Sequence, residues 1–222
     1  MKRNATEQIE CSRGALSHPV LRALPSEIGK IIRSSAKVTL LDQQDAPPAG
    51  HLFFLTSGAL GVFAPGQPVC SGLIGPGSVH GWEAMLEDGA ERQTRALVPC
   101  EGLSVPLAPI KQALNDPWIF RFLAANAVAR TRDACAEASC NALHTASQRT
   151  AKWIMRLHQT VRDPRGISIT QARLAEILGF QRTSINASCG YLQDRGAIEV
   201  RRGRMVVTDI DELRNICCAC DA

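Results

Sequence analysis

Residues 169–198 read ITQARLAEILGFQRTSINASCGYLQDRGAI, two short apolar-periodic segments separated by a single glycine. Thr170 has the side chain of a helix N-cap, because its hydroxyl can accept a bond from an amide that the first turn leaves unpaired. Leu174, Ile177 and Leu178 then share one helical face. Gly179 permits the left-handed backbone of a sharp turn, and Phe180 is apolar enough to anchor that turn in a core. In the second segment Ile185, Cys189 and Leu192 form the buried face, while Gln181, Arg182, Thr183, Ser184 and Asn186 gather polar groups near its start. The pattern predicts a helix-turn-helix whose second helix suits the major groove of DNA.

The roles follow from side-chain chemistry. Arg182 carries the fork that pairs with guanine, and Thr183 and Asn186 add base or methyl contacts. Ser184 and Gln181 suit phosphate, and Thr170, at the start of the first helix, joins the same DNA-facing set. Residues 198–208, IEVRRGRMVVT, read as a hairpin with Arg201, Arg202 and Arg204 around Gly203, a basic wing against the phosphate backbone.

Working outward, residues 148–161 form an amphipathic helix ended by the turn residues of RDPRG, and a short helix is expected after Asp209. Upstream, Asp116-Pro117 opens a run over 118–143 without Gly or Pro, which predicts one long helix. Ala124, Ala127, Thr131, Ala134 and Ala138 line one face with small side chains, so a partner helix can approach closely. From residue 37 to about 107 the pattern becomes short apolar runs (VTLL, LFFL, ALGVF, SGLI, LSVPL) punctuated by Gly and Pro, as in a small barrel or jelly roll. Before it, residues 18–35 read as short amphipathic helices broken at Pro25. The expected fold is α+β: a jelly-roll β-barrel with N-terminal helices over 1–115, a central helix over 116–143 and a winged helix-turn-helix over 144–222.

This order of parts resembles the Crp/Fnr family of bacterial transcription regulators. The residues that carry the resemblance are LRALP, FLTSGALGVF with Ser57-Gly58, IGPGSVHGWEAMLEDGAERQTRAL and ITQARLAEILGFQRTSI. The resemblance implies a homodimer joined through parallel central helices, bound to double-stranded DNA with a two-fold symmetric site. It also places Arg182 where the family has its base-contacting arginine. Thr183 stands where the family usually has glutamate, and the arginine expected near Ala187 is missing, so the preferred operator departs from the best-known one. A surface for RNA polymerase is compatible with the family, but no local pattern identifies it.

The effector cassette departs further. Nucleotide-binding members follow the first glycine directly with a glutamate for the ribose, and hold the cyclic phosphate with an arginine followed by serine. Here Gly81 is followed by Trp82, with Glu83 one place late, and Arg92 is followed by Gln93. A displacement of one residue on an extended segment turns a side chain to the opposite face. Ala134 and Cys135 stand where such members touch the adenine with hydroxyls. Losing these contacts together removes several hydrogen bonds of about 1 kcal/mol each, so no response to cyclic AMP is expected.

Composition sets the remaining bounds. Apolar residues make up 45% of the 222 and charged ones 21%, with a net charge of +4. No apolar run approaches the length of a membrane span, and the first residues, MKRNATEQIECSRG, lack the core of a secretory signal, so a cytoplasmic protein is expected. No nucleophile–base pair, metal-protease motif or nucleotide-hydrolysing loop is visible, and an enzyme is not expected. Nine cysteines are an odd number on a chain long enough to fold without disulfides. Cys11 alone lies near the start, which argues against an iron–sulphur cluster held by four thiolates. The tail Cys217, Cys218 and Cys220 offers three soft ligands for zinc or copper, or for reversible disulfides. Two alternatives therefore stand beside a regulator without an effector: one that binds another small molecule in its barrel, and a thiol or metal sensor acting through Cys135 or these tail cysteines.

Overall fold

The computed structural model describes residues 26–85, 93–111, 117–218 and 220. The chain divides into two compact units, one made of Met1–Leu60 with Ile74–Ala129, the other of Gly61–Leu73 with Arg130–Ala222. No helix among the described residues is long and apolar enough to cross a membrane.

Among the described residues of the first unit, the earliest element is α1 (Ser26–Ser35), and the strands are β1 (Lys37–Leu41), most of β2 (His51–Phe63), β4 (Val79–His80) and β5 (Gln93–Pro106). With β3 (Cys70–Ile74) they form one five-stranded sheet in the order β1-β5-β2-β3, and β4 pairs with β2. The path of pairings does not close into a complete barrel among the described residues. Ile32, Leu52, Phe54, Trp82, Leu103 and Ile110 belong to its hydrophobic cluster. Ile110 comes from α2 (Leu107–Lys111), a short helix that the sequence pattern did not announce. The N-terminal segment expected over 18–25 lies outside the described residues.

The runs LFFL and ALGVF, expected as separate strands, are one strand of 13 residues. Gly58 makes this possible by taking φ +89° in mid-strand, where an added Cβ would lie 2.4 Å from the Pro99 carbonyl oxygen. Gly58→Ala therefore meets both a disfavoured backbone and a backbone clash, and is expected to cost more than about 1 kcal/mol of stability in urea denaturation.

Helix α3 (Pro117–Leu143) starts in the first unit, where Ile119 and Leu123 are buried in its cluster. The second unit continues with α4 (Ala146–Val161), α5 (Gln171–Leu178), α6 (Arg182–Asp194), the hairpin β6 (Ile198–Arg201) and β7 (Arg204–Val207), and α7 (Ile210–Ile216). Thr145 caps α4 in a reciprocal capping box with Gln148, which sets the helix start two residues before the expected 148. Thr170 caps α5 and Asp209 caps α7, each accepting from amides of the first turn. Leu157, Ile169, Leu174, Ile177, Ile185, Cys189, Leu192, Met205 and Leu213 are all buried in this unit.

Candidate nucleic-acid interface

The turn between α5 and α6 is built as its residue types require. Gly179 takes φ +69° as the C-cap of α5, and its amide bonds the Ala175 and Glu176 carbonyls. Arg149 of α4 locks the turn from behind: its guanidinium donates to the Leu178 carbonyl at 3.0 Å and lies 4.3 Å from the Phe180 ring centroid. Burial lowers the pKa of that arginine without threatening its charge. Sequence reasoning missed Arg149, since a single arginine in an amphipathic helix reads as solvated.

On α6, Ile185, Cys189 and Leu192 are buried as expected. Burial also raises the Cys189 pKa, which suits a core thiol better than a redox switch. Gln181 is the N-cap position and makes no side-chain cap bond. Gln181, Arg182, Thr183 and Asn186 are exposed, whereas Ser184 is half-buried. Thr170, Arg182, Arg201, Gly203 and Arg204 come together as walls of one cleft with a volume of about 160 Å³. The elements far apart in sequence thus bring the expected recognition arginine and the expected wing to one place.

The wing is less free than its sequence suggested. Arg202 is exposed at the tip beside Gly203. Arg201 pairs with Glu199 at 2.7 Å, and the pair is exposed. Arg204 is half-buried: it donates to the Gly166 carbonyl at 3.1 Å and sits 3.5 Å from the Asp163 carboxylate. Hydrogen bonds from Arg165 hold the Asp163 carboxyl down at about 2, so this anchor for Arg204 is charged at neutral pH. Arg204 therefore braces the hairpin against the α4–α5 loop while still lining the cleft with Arg182.

The cassette residues fall in the first unit. Gly81 takes φ +86°, and an added Cβ would lie 2.2 Å from the His51 carbonyl oxygen. Trp82 and Glu83 belong to a short 3-10 turn; Trp82 is buried in the hydrophobic cluster and Glu83 is half-buried. Gln93 opens β5, exposed, and accepts a bond from Arg95. Arg92 lies outside the described residues. On α3, Ala124, Ala127, Thr131, Ala138 and Cys135 are exposed, and Ala134 is half-buried. Exposed Val128, not among the expected seam residues, lies on the same helix.

Two groupings join residues that no local pattern connects. Glu137 of α3 is buried and meets three side chains of α4: Lys152 at 2.9 Å, Arg156 at 2.5 Å and the Trp153 indole N–H at 3.3 Å. Of the tail cysteines, Cys218 lies 3.2 Å from Cys140 and Cys220 lies 3.0 Å from the His144 Nε2. Cys217 is the C-cap of α7 and stands outside that grouping, so the expected set of tail ligands is corrected by one member.

Residues 148–216 match the family of the Crp-like helix-turn-helix domain. No curated protein matches the sequence. Among solved structures, the chain is similar to a Crp/Fnr-family transcriptional regulator from Eubacterium rectale at 15% identity and TM-score 0.69, over 89% of this chain and 97% of that one. It is also similar to FixK2 from Bradyrhizobium japonicum at 17% identity and TM-score 0.65, over 83% and 98% of the two chains. The c-di-GMP responsive global regulator CLP of Xanthomonas campestris is another, at 17% identity and TM-score 0.63, over 83% and 100%. At such identities these likenesses speak for the fold, and the domain match speaks for the reading head. The chain thus carries a match to the Crp-like helix-turn-helix domain over residues 148–216, on a fold similar to that of Crp/Fnr-family regulators.

Proposed function

We propose that the protein is a homodimeric, sequence-specific DNA-binding regulator that reads its site with α6, does no covalent chemistry and does not answer to cyclic AMP. The observation that carries the reading is the start of α6. There Arg182, Thr183 and Asn186 are exposed above a buried apolar face, and Arg182 shares a cleft with the wing. An exposed polar front on a rigidly packed helix is what base readout in the major groove requires. The proposed division places the sensory region at 1–115, the dimer helix at 116–143 and the DNA-binding domain at 144–222.

Dimerisation is supported by α3. Its exposed residues Ala124, Val128, Thr131, Cys135, Ala138 and Ala142 recur at alternating four- and three-residue intervals, the seam of a coiled coil. In a parallel pair, identical seam positions meet. Mild copper-catalysed oxidation is therefore expected to link two chains through Cys135, and Cys135→Ser abolishes the link. Burial pushes the Cys70 thiol up to about 11 and the Cys100 thiol up to about 12, so neither competes at neutral pH. A dimer by light scattering that never crosslinks at Cys135 places the seam elsewhere.

Trp82 supports the separation from cyclic AMP. The residue after Gly81 is spent on the hydrophobic cluster and offers no carboxylate to a ribose. The test is selection from random duplex DNA by full-length protein at fixed salt, with and without cyclic AMP. Recovery of the same two-fold symmetric sequences in both arms is expected. Recovery only with the nucleotide overturns the effector reading, and recovery of no sequence in either arm overturns the assignment of α6.

A further inference from the structure

Cys140, His144, Cys218 and Cys220 present four metal-binding atoms, all within 4.8 Å of one another. Cys140 and His144 are one helical turn apart at the end of α3, a spacing that brings the two side chains to one side. Cys218 and Cys220 follow α7 in the tail. Cys140 and Cys218 are buried, and His144 and Cys220 are half-buried. Three cysteines and a histidine make a soft donor set of the kind that holds zinc, and four protein ligands leave no position open for a substrate.

The dimensions agree with that chemistry. A tetrahedron with bonds of about 2.3 Å to sulphur and about 2.0–2.1 Å to imidazole nitrogen has edges of about 3.5–3.8 Å. The contacts at 3.2 Å and 3.0 Å lie about 0.5 Å below this range and the 4.8 Å limit about 1 Å above it, so shifts of up to about 1 Å build the site. Three thiolates and a neutral imidazole around a divalent ion carry one net negative charge; of the buried groups nearby, Lys152 and Arg149 of α4 favour that charge and Glu137, which pairs with Lys152, opposes it. Ion binding releases the three thiol protons and changes no oxidation state.

We propose that Cys140, His144, Cys218 and Cys220 form a closed Cys3His zinc site that ties the tail after α7 to the last turn of α3. The ion then acts as a structural clamp at the junction of α3 and α4, which lies at His144 and Thr145 between the two helices. This assignment is independent of how α6 reads DNA and of what the N-terminal unit binds.

The test uses the full-length protein, purified with reductant from zinc-containing medium. Elemental analysis is expected to find about one zinc per chain. Exchange for Co2+ is expected to give thiolate-to-cobalt charge-transfer bands and the strong visible bands of tetrahedral cobalt. Cys140→Ser, His144→Ala and Cys220→Ser are expected to lose the stoichiometric ion and the cobalt spectrum while far-ultraviolet circular dichroism still reports a folded chain. Cys217→Ser and Cys135→Ser are expected to keep both. Reduced wild-type protein that takes up neither ion overturns the site, as does a metal content unchanged by His144→Ala together with Cys220→Ser. A Cys140–Cys218 disulfide found by peptide mapping, in protein that binds no metal after reduction, also overturns it in favour of a redox pair.

Discussion

Glu137→Ala is expected to lower the stability of the chain by about 3–5 kcal/mol, the cost of leaving a buried partner charge without its counterion. The Glu137 side chain is 5% exposed and that of Lys152 is 2% exposed, so neither can turn to water when the other is removed. Arg156, at 20% exposure, can reach solvent more easily, and the Trp153 indole N–H loses its acceptor. A urea titration should show a lower midpoint with little change in slope. Glu137→Gln is expected to recover the indole bond without the charge and to fall between the two. The double variant Glu137→Leu with Lys152→Met removes both buried charges and is expected to be more stable than Glu137→Ala. If Glu137→Ala alone costs under about 1 kcal/mol, water reaches this cluster and the pair is not dry.

Arg182→Ala is expected to cost about 1–3 kcal/mol of discrimination at each half-site, and so about 2–6 kcal/mol when two protomers bind together. Arg182 is exposed at the first position of α6, and its removal should leave the fold within about 0.5 kcal/mol of the parent. Fluorescence anisotropy at one fixed salt concentration should show a large loss on the selected site and a small one on scrambled DNA. Arg182→Lys is expected not to restore the difference, because an ammonium cannot supply the planar fork that a guanine edge accepts. Equal losses on both DNAs would assign Arg182 to phosphate and move base reading to Thr183 and Asn186.

The reading head was legible because its signals are local. Thr170, Gly179 and the spacing of Ile185, Cys189 and Leu192 each have a physical meaning within a few residues and stand as cap, turn and buried face, whereas Phe180, expected in the core, is half-buried against Arg149. Longer-range partnerships were not legible. Glu137 sits in an alanine-rich helix where an acid looks solvated, and Lys152, Trp153 and Arg156 reach it only once α4 folds back. Cys140 and His144 gain their sulphur neighbours from 78 and 76 residues away, beyond any ligand spacing that a motif could encode. Gly58 looked like a strand break because glycine marks turns as often as bends; only its positive φ inside a continuous ladder separates the two. The altered cassette was visible as a shifted acid, yet the burial of Trp82 required knowledge of what packs around it.

The acids beside the wing arginines bear on how a regulator finds its site. Glu199 pairs with exposed Arg201, and Asp163, held chiefly by Arg165, also lies 3.5 Å from Arg204, so two of the hairpin's three arginines have an acidic neighbour. Attraction to DNA of arbitrary sequence comes from releasing the polymer's condensed counterions, and a pre-paired guanidinium releases fewer of them. On the proposed reading, dwell times on wrong sequences are expected to shorten accordingly, with a shallower salt dependence of non-specific binding as the measurable sign.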